Sequence, residues 1–149
     1  MKLNVIILTG LSVLLLISGC AQTKLYDYKP AMASEKEVFE FFVECDKAVG
    51  DKNLEKYMSC YKDDARIRIF IGNYTNIWVS KEELRKRLED GLWDNWESNK
   101  FLNPNISVNG NQATVKCIMP GGGQWVAKHS VELIKENDQW GISKWGYKW

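Results

Sequence analysis

The order in which the hydrophobic period changes along this chain limits its fold more than any single motif does. Apolar side chains recur at helical spacing over residues 38–49 and again over residues 54–61. Between residues 65 and 71, apolar and charged side chains alternate, which is the pattern of a half-buried strand. A third helical run covers residues 84–92, and alternation returns after residue 104. The chain is therefore expected to form two helices, a strand, a third helix and a meander of three or four strands.

Local signals place the ends of these elements. Ser34 with Glu37, and Ser80 with Glu83, have the form of capping boxes, so helices are expected to start there. The Asn-Gly pair at residues 109–110 lies between two alternating runs and predicts a hairpin. Helices followed by a run of strands predict an α+β domain, in which the helices pack on the concave face of a curved antiparallel sheet and leave a pocket.

The first 20 residues are typical of an export signal rather than of a folded domain. One positive side chain, Lys2, precedes an apolar run over residues 5–17. The run has about 13 residues, whereas crossing a bilayer takes roughly 20, so a permanent transmembrane helix is disfavoured. The segment closes with Leu16, Ile17, Ser18, Gly19 and Cys20, so that small residues and then a cysteine follow the apolar run.

This end of the chain resembles the lipobox of bacterial lipoproteins, in which the cysteine receives a diacylglyceryl group and becomes the new amino terminus. The resemblance implies a signal peptide over residues 1–19, acyl chains on Cys20 and a membrane as partner. Ala21 stands where an aspartate is the usual inner-membrane retention signal, which favours the periplasmic side of the outer membrane in a Gram-negative host. An ordinary secretory signal is the alternative.

Residues 20–33 are expected to be a lipidated tether, because they contain polar and helix-breaking side chains and no sustained apolar period. Three apolar side chains leave docking of this segment on the domain open, namely Leu25, Tyr26 and Tyr28.

The charge of the exported part is balanced, because 20 Lys and Arg minus Lys2 leaves 19, against 19 Asp and Glu. Nucleic-acid-binding domains usually carry a basic excess, so nucleic acid is not expected as a partner. No stretch of the sequence is polybasic enough to recognise anionic lipid.

Three cysteines remain when Cys20 carries lipid, and outside the cytoplasm they favour one disulfide. Cys45 and Cys60 fall on two consecutive predicted helices whose antiparallel packing brings them together, so they are the expected pair. Cys117 alternates with apolar strand residues and is expected to be a buried free thiol. Neither the cysteines nor the single histidine have the spacing of a metal site, so no metal and no other cofactor is expected.

Residues 34–149 resemble the nuclear transport factor 2-like (NTF2-like) superfamily, which includes SnoaL-like and ketosteroid isomerase-like domains. The resemblance rests on the order and spacing of four groups of residues. Two groups are Gly50, Asp51, Lys52, Asn53 and Leu54 between the first helices, and Tyr61, Lys62, Asp63, Asp64 and Ala65 before the first strand. The others are Ser80, Lys81, Glu82 and Glu83 at the third helix, and residues 135–142 at the last hairpin.

The resemblance implies a cone of curved sheet closed by helices, with a function that ranges from isomerase, cyclase or dehydratase to non-enzymatic binding and assembly. In the isomerase-like members, a general-base aspartate lies four residues after the Asp-Asp-Ala motif. Ile69 occupies that place, and Phe70 replaces the proline that commonly follows. Because an isoleucine cannot accept a proton, the isomerase chemistry is disfavoured.

His129 is the only histidine and therefore the first candidate for acid–base chemistry near neutral pH. It shares strand parity with Ala127, Val131 and Leu133, which predicts that it points toward the interior. There it is either the acid or base of a pocket or a core residue with one satisfied hydrogen bond.

Aromatic side chains are abundant, with seven tryptophans, six tyrosines and five phenylalanines, and they either fill a core or line a ligand site. The candidates for ligand binding are Phe42, Trp78, Trp93, Trp125 and His129. The expected function is a membrane-anchored domain without a catalytic set, which binds a small apolar ligand or mediates assembly, for example as a homodimer. The alternative is a SnoaL-like enzyme that acts on a small organic substrate with His129 as acid or base.

Overall fold

A computed structural model of the chain describes residues 22–71, 75–94, 96–120 and 126–148. The expected lipid site, Cys20, and the ligand candidate Trp125 lie outside the described residues. The first half forms α1 (Ala33–Gly50), α2 (Leu54–Ser59), β1 (Tyr61–Ile71), β2 (Thr75–Ser80) and α3 (Lys81–Arg87), and α3 continues into a π turn, Leu88–Leu92. The second half forms β3 (Leu102–Asn109), β4 (Gln112–Pro120), β5 (Val126–Glu136) and β6 (Gln139–Lys148).

The six strands form one open sheet in the order β2-β1-β6-β5-β4-β3. The predicted α+β class, with helices on one face of the sheet, is confirmed. The prediction of a wholly antiparallel sheet is wrong for one pair, because β1 runs parallel to β6 while the other neighbours are antiparallel. The rest of the domain connects β1 to β6, so no short hairpin forces these two strands to run in opposite directions.

Helix α1 covers the inner face of the sheet with one apolar side. Val38, Phe42 and Cys45 recur at helical spacing and are at most 1% exposed. The strands meet this side with alternate residues, as the two-residue period requires. The largest of these fully buried strand side chains are Val115, Val131, Leu133 and Ile142. Full burial of each such side chain stabilises the fold by roughly 1.5–3 kcal/mol, so the inner face is the core of the domain.

The amino-terminal segment is bound to the domain from Thr23 onward, which is the docking that the sequence left open for Leu25 and its neighbours. The backbone N–H of Asn103 donates to the carbonyl oxygen of Thr23 at 2.7 Å, and the N–H of Thr23 donates to Asn103 Oδ1 at 2.9 Å. Leu25 is fully buried. Pairing with the edge strand β3 and burial of Leu25 offset the entropy lost in ordering the segment. A fragment of residues 22–149 keeps every residue of the described core and is therefore expected to fold by itself.

The helix starts follow the predicted caps in one case and not in the other. Ser80 caps α3, and its Oγ accepts a hydrogen bond from the N–H of Glu83 at 3.1 Å. The box expected at Ser34 is wrong, because Ser34 lies inside α1. There, Glu35 Oε2 accepts from the N–H of Ala31 at 2.9 Å and supplies an acceptor for the helix entry.

A disulfide joins Cys45 to Cys60, with the two Cα atoms 6.0 Å apart. Cys45 lies on the buried side of α1 and Cys60 follows the end of α2, so the bond ties the covering helix to the start of β1. Cys117 is free and buried, and burial raises the pKa of its thiol to about 12. A thiol with so high a pKa is a poor nucleophile at neutral pH.

Replacing Cys45 and Cys60 together by serine is expected to lower the free energy of unfolding by about 3 kcal/mol. The crosslink joins two residues that are 15 apart in sequence. It lowers the conformational entropy of the unfolded chain, and for a loop of this length the effect corresponds to about 3 kcal/mol. Urea unfolding of residues 22–149, followed by circular dichroism, measures the change. Reductant should shift the wild-type midpoint and leave the double variant unchanged, whereas a wild-type midpoint that does not respond to reductant contradicts the disulfide.

Candidate ligand-binding site

A cavity of about 540 Å³ lies between the helices and the inner face of the sheet. Its walls are mainly apolar and aromatic, and they come from α1, from β1 and from the three strands β4, β5 and β6. The side chains that set its character are Phe42, Ile69, Phe101, Met119, Ala127 and Trp145. The volume falls in the range of roughly 300–1,000 Å³ that is usual for sites of small organic molecules.

Three aromatic rings form the rigid part of the wall. The ring centroids of Phe42 and Phe101 are 5.7 Å apart, those of Phe42 and Trp145 are 5.6 Å apart, and those of Phe101 and Trp145 are 5.7 Å apart. Tilted ring pairs at this distance stabilise each other by about 0.5–1.5 kcal/mol beyond the area they bury. The cluster therefore links α1, the segment before β3, and β6 around the cavity.

His129 lines the cavity, and its protonation follows from its neighbour. Trp145 Nε1–H donates to His129 Nδ1 at 3.0 Å. An indole nitrogen only donates, so Nδ1 must carry the lone pair and the proton must sit on Nε2. The Nε2 atom is buried and has no hydrogen-bond partner among the described residues. Burial lowers the pKa of His129 to about 4, so the ring is neutral at neutral pH and carries an unsatisfied donor.

Asp46 lies at the cavity although it is not among the predicted site residues. It lines the cavity from α1, is 5% exposed, and accepts a hydrogen bond from the N–H of Asn99 at 2.7 Å. Burial raises its pKa, while the hydrogen bonds from Asn99 and Tyr26 act in the opposite direction. The signal was present, because Asp46 falls between Phe42 and Val49 on the apolar side of the helix, where a carboxylate is out of place.

Two tyrosine hydroxyls at the helix side of the cavity satisfy each other. The hydroxyl oxygens of Tyr57 and Tyr61 are 2.6 Å apart, and both residues line the cavity. Burial raises the pKa of each phenol well above its usual value. These groups act as neutral hydrogen-bonding partners rather than as bases.

The structure places only some of the predicted ligand-binding residues at the cavity. Phe42 and His129 line it. Trp78 does not, because Val79 is the residue of β2 that points into the core, and alternation turns Trp78 to the outer face, where it is 41% exposed. Trp93 is 8% exposed and packs on Tyr57 beside the cavity without lining it.

Two further properties of the described residues bear on the kind of site. No group of three or more metal-ligating side chains comes together within residues 22–71, 75–94, 96–120 and 126–148. In the same ranges, no helix has the length and apolar character needed to span a bilayer.

The open six-stranded sheet, the covering helices and the cavity between them define an NTF2-like fold. A solved NTF2-like protein of unknown function from Pseudomonas putida KT2440 is 15% identical, with a TM-score of 0.62 over 78% of this chain and 86% of that one. A CaMKII hub from S. rosetta is 16% identical, with a TM-score of 0.57 over 80% of this chain and 98% of that one. A scan against known protein families and a search of curated proteins find no match. The similarity shows the fold and leaves the function to the site.

The dependence of stability on pH is expected to isolate His129. Its pKa is about 4 in the folded chain and near 6.5 when exposed, so the unfolded chain binds the proton first as the pH falls. The free energy of unfolding should therefore decrease by about 3 kcal/mol between pH 7 and pH 4 through this group. Asp46 acts in the opposite direction, because its raised pKa favours the folded state at low pH.

Urea unfolding at several pH values, for the wild type and for His129→Phe, measures this contribution. The variant keeps Asp46, so the difference between the two curves contains only the histidine. The wild type should lose about 3 kcal/mol of stability relative to the variant as the pH falls from 6.5 to 4, and parallel curves contradict the neutral histidine.

Proposed function

We propose that this chain is a lipid-anchored exported protein whose NTF2-like domain binds a small, largely apolar ligand. The observation that carries the ligand is the cavity of about 540 Å³ with its aromatic wall. Asp46, which is buried, and His129, which is partly buried, border this mainly apolar space, and the charged residues Arg68, Glu97 and Lys100 also line it. A mainly apolar cavity with a limited number of polar groups is typical of sites for small organic molecules.

The ligand carries a hydrogen-bond acceptor such as a carbonyl oxygen. Trp145 holds the proton of His129 on Nε2, which is buried without a partner among the described residues. A buried donor left unsatisfied costs about 1–3 kcal/mol, and an acceptor on the ligand recovers this free energy. The site should therefore prefer a ketone to a hydrocarbon of the same shape.

Tetralin and its ketone, 1-tetralone, are a matched pair of probes for this preference. Both should bind residues 22–149 and change the tryptophan fluorescence, because Trp96 and Trp145 line the cavity. The ketone is expected to bind about tenfold more tightly, which corresponds to one recovered hydrogen bond. His129→Phe should abolish the preference for the ketone and leave the affinity for the hydrocarbon unchanged.

A filled cavity is the control for the place of binding. Ala127 lines the cavity and is 5% exposed, so Ala127→Leu should occupy the space and weaken both probes by about tenfold or more. Val126→Leu is the matched control, because Val126 is 42% exposed at the neighbouring position. Unchanged affinities in Ala127→Leu would put the probes elsewhere, and equal binding of the two probes to the wild type would contradict the acceptor.

An acid–base enzyme is the second candidate function, and Asp46 favours it. His129 is a weak base here, because Nδ1 accepts from Trp145 and burial lowers its pKa to about 4. Asp46, whose pKa burial raises, is better suited to take a proton from a bound ketone. In D₂O, wild type would exchange the α-hydrogens of 1-tetralone for deuterium and Asp46→Asn would not. Exchange at the buffer rate excludes this chemistry for the ketone.

The proposed anchor is a diacylglyceryl thioether on Cys20, which places the domain in the cell envelope, at the periplasmic face of the outer membrane in a Gram-negative host. The apolar run over residues 5–17 and the small residues before Cys20 support it. Two or three acyl chains hold a protein stably on a bilayer, since each buried methylene contributes about 0.8 kcal/mol.

Mass spectrometry of the full chain purified from bacterial membranes tests the anchor. The amino-terminal peptide is expected to begin at Cys20 and to carry the mass of the lipid. Cys20→Ser should lose the lipid and retain residues 1–19. A wild-type peptide that runs unmodified through Cys20 contradicts the anchor without bearing on the cavity.

We also propose a homodimer, because the chain has many aromatic residues and some of them could pack between two copies. Light scattering on residues 22–149 gives the mass in solution. A monomer at all concentrations removes the dimer and leaves the ligand site untouched.

A further inference from the structure

The outer face of the sheet carries a shallow, positively charged groove of about 570 Å³ that crosses all six strands. We propose that this outer-face groove lies against an anionic phospholipid membrane and fixes the orientation of the anchored domain. The inference rests on the lipid anchor proposed above and concerns the outer face of the sheet, although Arg68, His129 and Tyr147 line both the groove and the cavity.

Four basic side chains from four strands line the groove, namely Arg68, Lys116, Lys128 and Lys144. Glu132 is the one acidic residue among the lining side chains and pairs with Lys144 at 2.9 Å. Four positive charges minus one negative charge leave three positive charges on this band of the sheet. The sequence contains no polybasic stretch, so the sheet creates this patch by placing distant residues side by side.

Trp78 adds an aromatic side chain to the same face. It is 41% exposed, and its ring packs over Gly146 of β6. The guanidinium carbons of Arg66 and Arg68 lie 5.3 and 5.9 Å from its ring centroid. Indole rings beside cationic side chains are favoured at the headgroup level of a bilayer, where the ring meets apolar chains and the cations meet phosphates.

The short connection to Cys20 brings the membrane to this face. Thr23 is hydrogen-bonded to Asn103, and Asn103 itself lines the β3 end of the groove. Only two residues separate Cys20 from Thr23, so the anchor reaches at most roughly 11 Å beyond the docked segment. A connection of that length keeps the bilayer surface close to the groove.

The positive charge of the groove and the short connection to the lipid anchor together orient the domain. Each basic side chain near an anionic surface strengthens binding by about fivefold, so three net charges give only weak binding to a free domain. An anchored domain experiences the surface at an effective concentration in the millimolar range, at which weak binding is sufficient to orient it.

Vesicle sedimentation of residues 22–149 tests the face without the anchor. The domain is expected to sediment with vesicles that contain phosphatidylglycerol and to stay in solution with phosphatidylcholine alone, and salt should release it. Lys116→Glu with Lys128→Glu should weaken binding at least tenfold. Lys36→Glu with Lys86→Glu makes the same charge change on exposed residues of α1 and α3 and is the matched control.

Acetylation of lysines in the full chain, reconstituted in nanodiscs, reports the orientation. Lys116, Lys128 and Lys144 should be protected in phosphatidylglycerol relative to phosphatidylcholine, while Lys36 and Lys86 react equally in both. Equal effects of the two charge-reversal pairs, or equal labelling of all five lysines, overturn the proposal. If a second copy of the chain protects the three groove lysines in solution without lipid, the proposal is also overturned. If Cys20 carries no lipid, the anchor is removed, and the vesicle sedimentation alone decides whether the outer face binds a membrane.

Discussion

The rest of this structure depends on the packing of helices against the apolar inner face of the open sheet. Other elements must cover that face to remove it from water. Helix α1 covers the middle of the face through Phe42, and the disulfide from Cys45 to Cys60 holds the helix against the start of β1. Helix α2 is only six residues long, so the cover is incomplete. The uncovered part of the inner face is the cavity, whose walls are the same kind of side chain as the core. A ligand that fills it completes the burial that the fold leaves unfinished.

The polar groups inside this face show how strongly the surroundings decide chemistry. Asp46 is buried and receives hydrogen bonds from Asn99 and Tyr26, so its carboxyl is held in one place. His129 receives one hydrogen bond from Trp145 and keeps one donor unsatisfied. A buried group that is fully paired serves stability, whereas one that is half paired favours an incoming partner. For this reason His129 points to binding, and its low pKa leaves acid–base chemistry to Asp46, whose pKa burial raises. This is the reverse of what the lone histidine suggests in the sequence.

Local periodicity predicted most of the elements, because burial of one face imposes it residue by residue. The alternation around Val115 and Val131 and the helical spacing from Val38 to Val49 both correspond to buried faces. The parallel pairing of β1 with β6 was not predictable, since it depends on which strand edges remain free once the meander has formed. Docking of Leu25 and the position of Trp78 likewise depend on neighbours distant in sequence. Asp46 was predictable from its place on the apolar helix face.

The two faces of the sheet have different tasks because successive side chains point in opposite directions. On β5, Ala127 and His129 line the cavity, while Lys128 lies between them in sequence and faces the outer groove. A balanced total charge therefore conceals a mainly apolar inner face and a positive outer face on the same strands. With the outer face against a membrane, the sheet stands between the bilayer and the cavity. In the proposed orientation a ligand would enter from the aqueous side rather than from the lipid, which agrees with the proposed preference for small molecules that bear a polar acceptor.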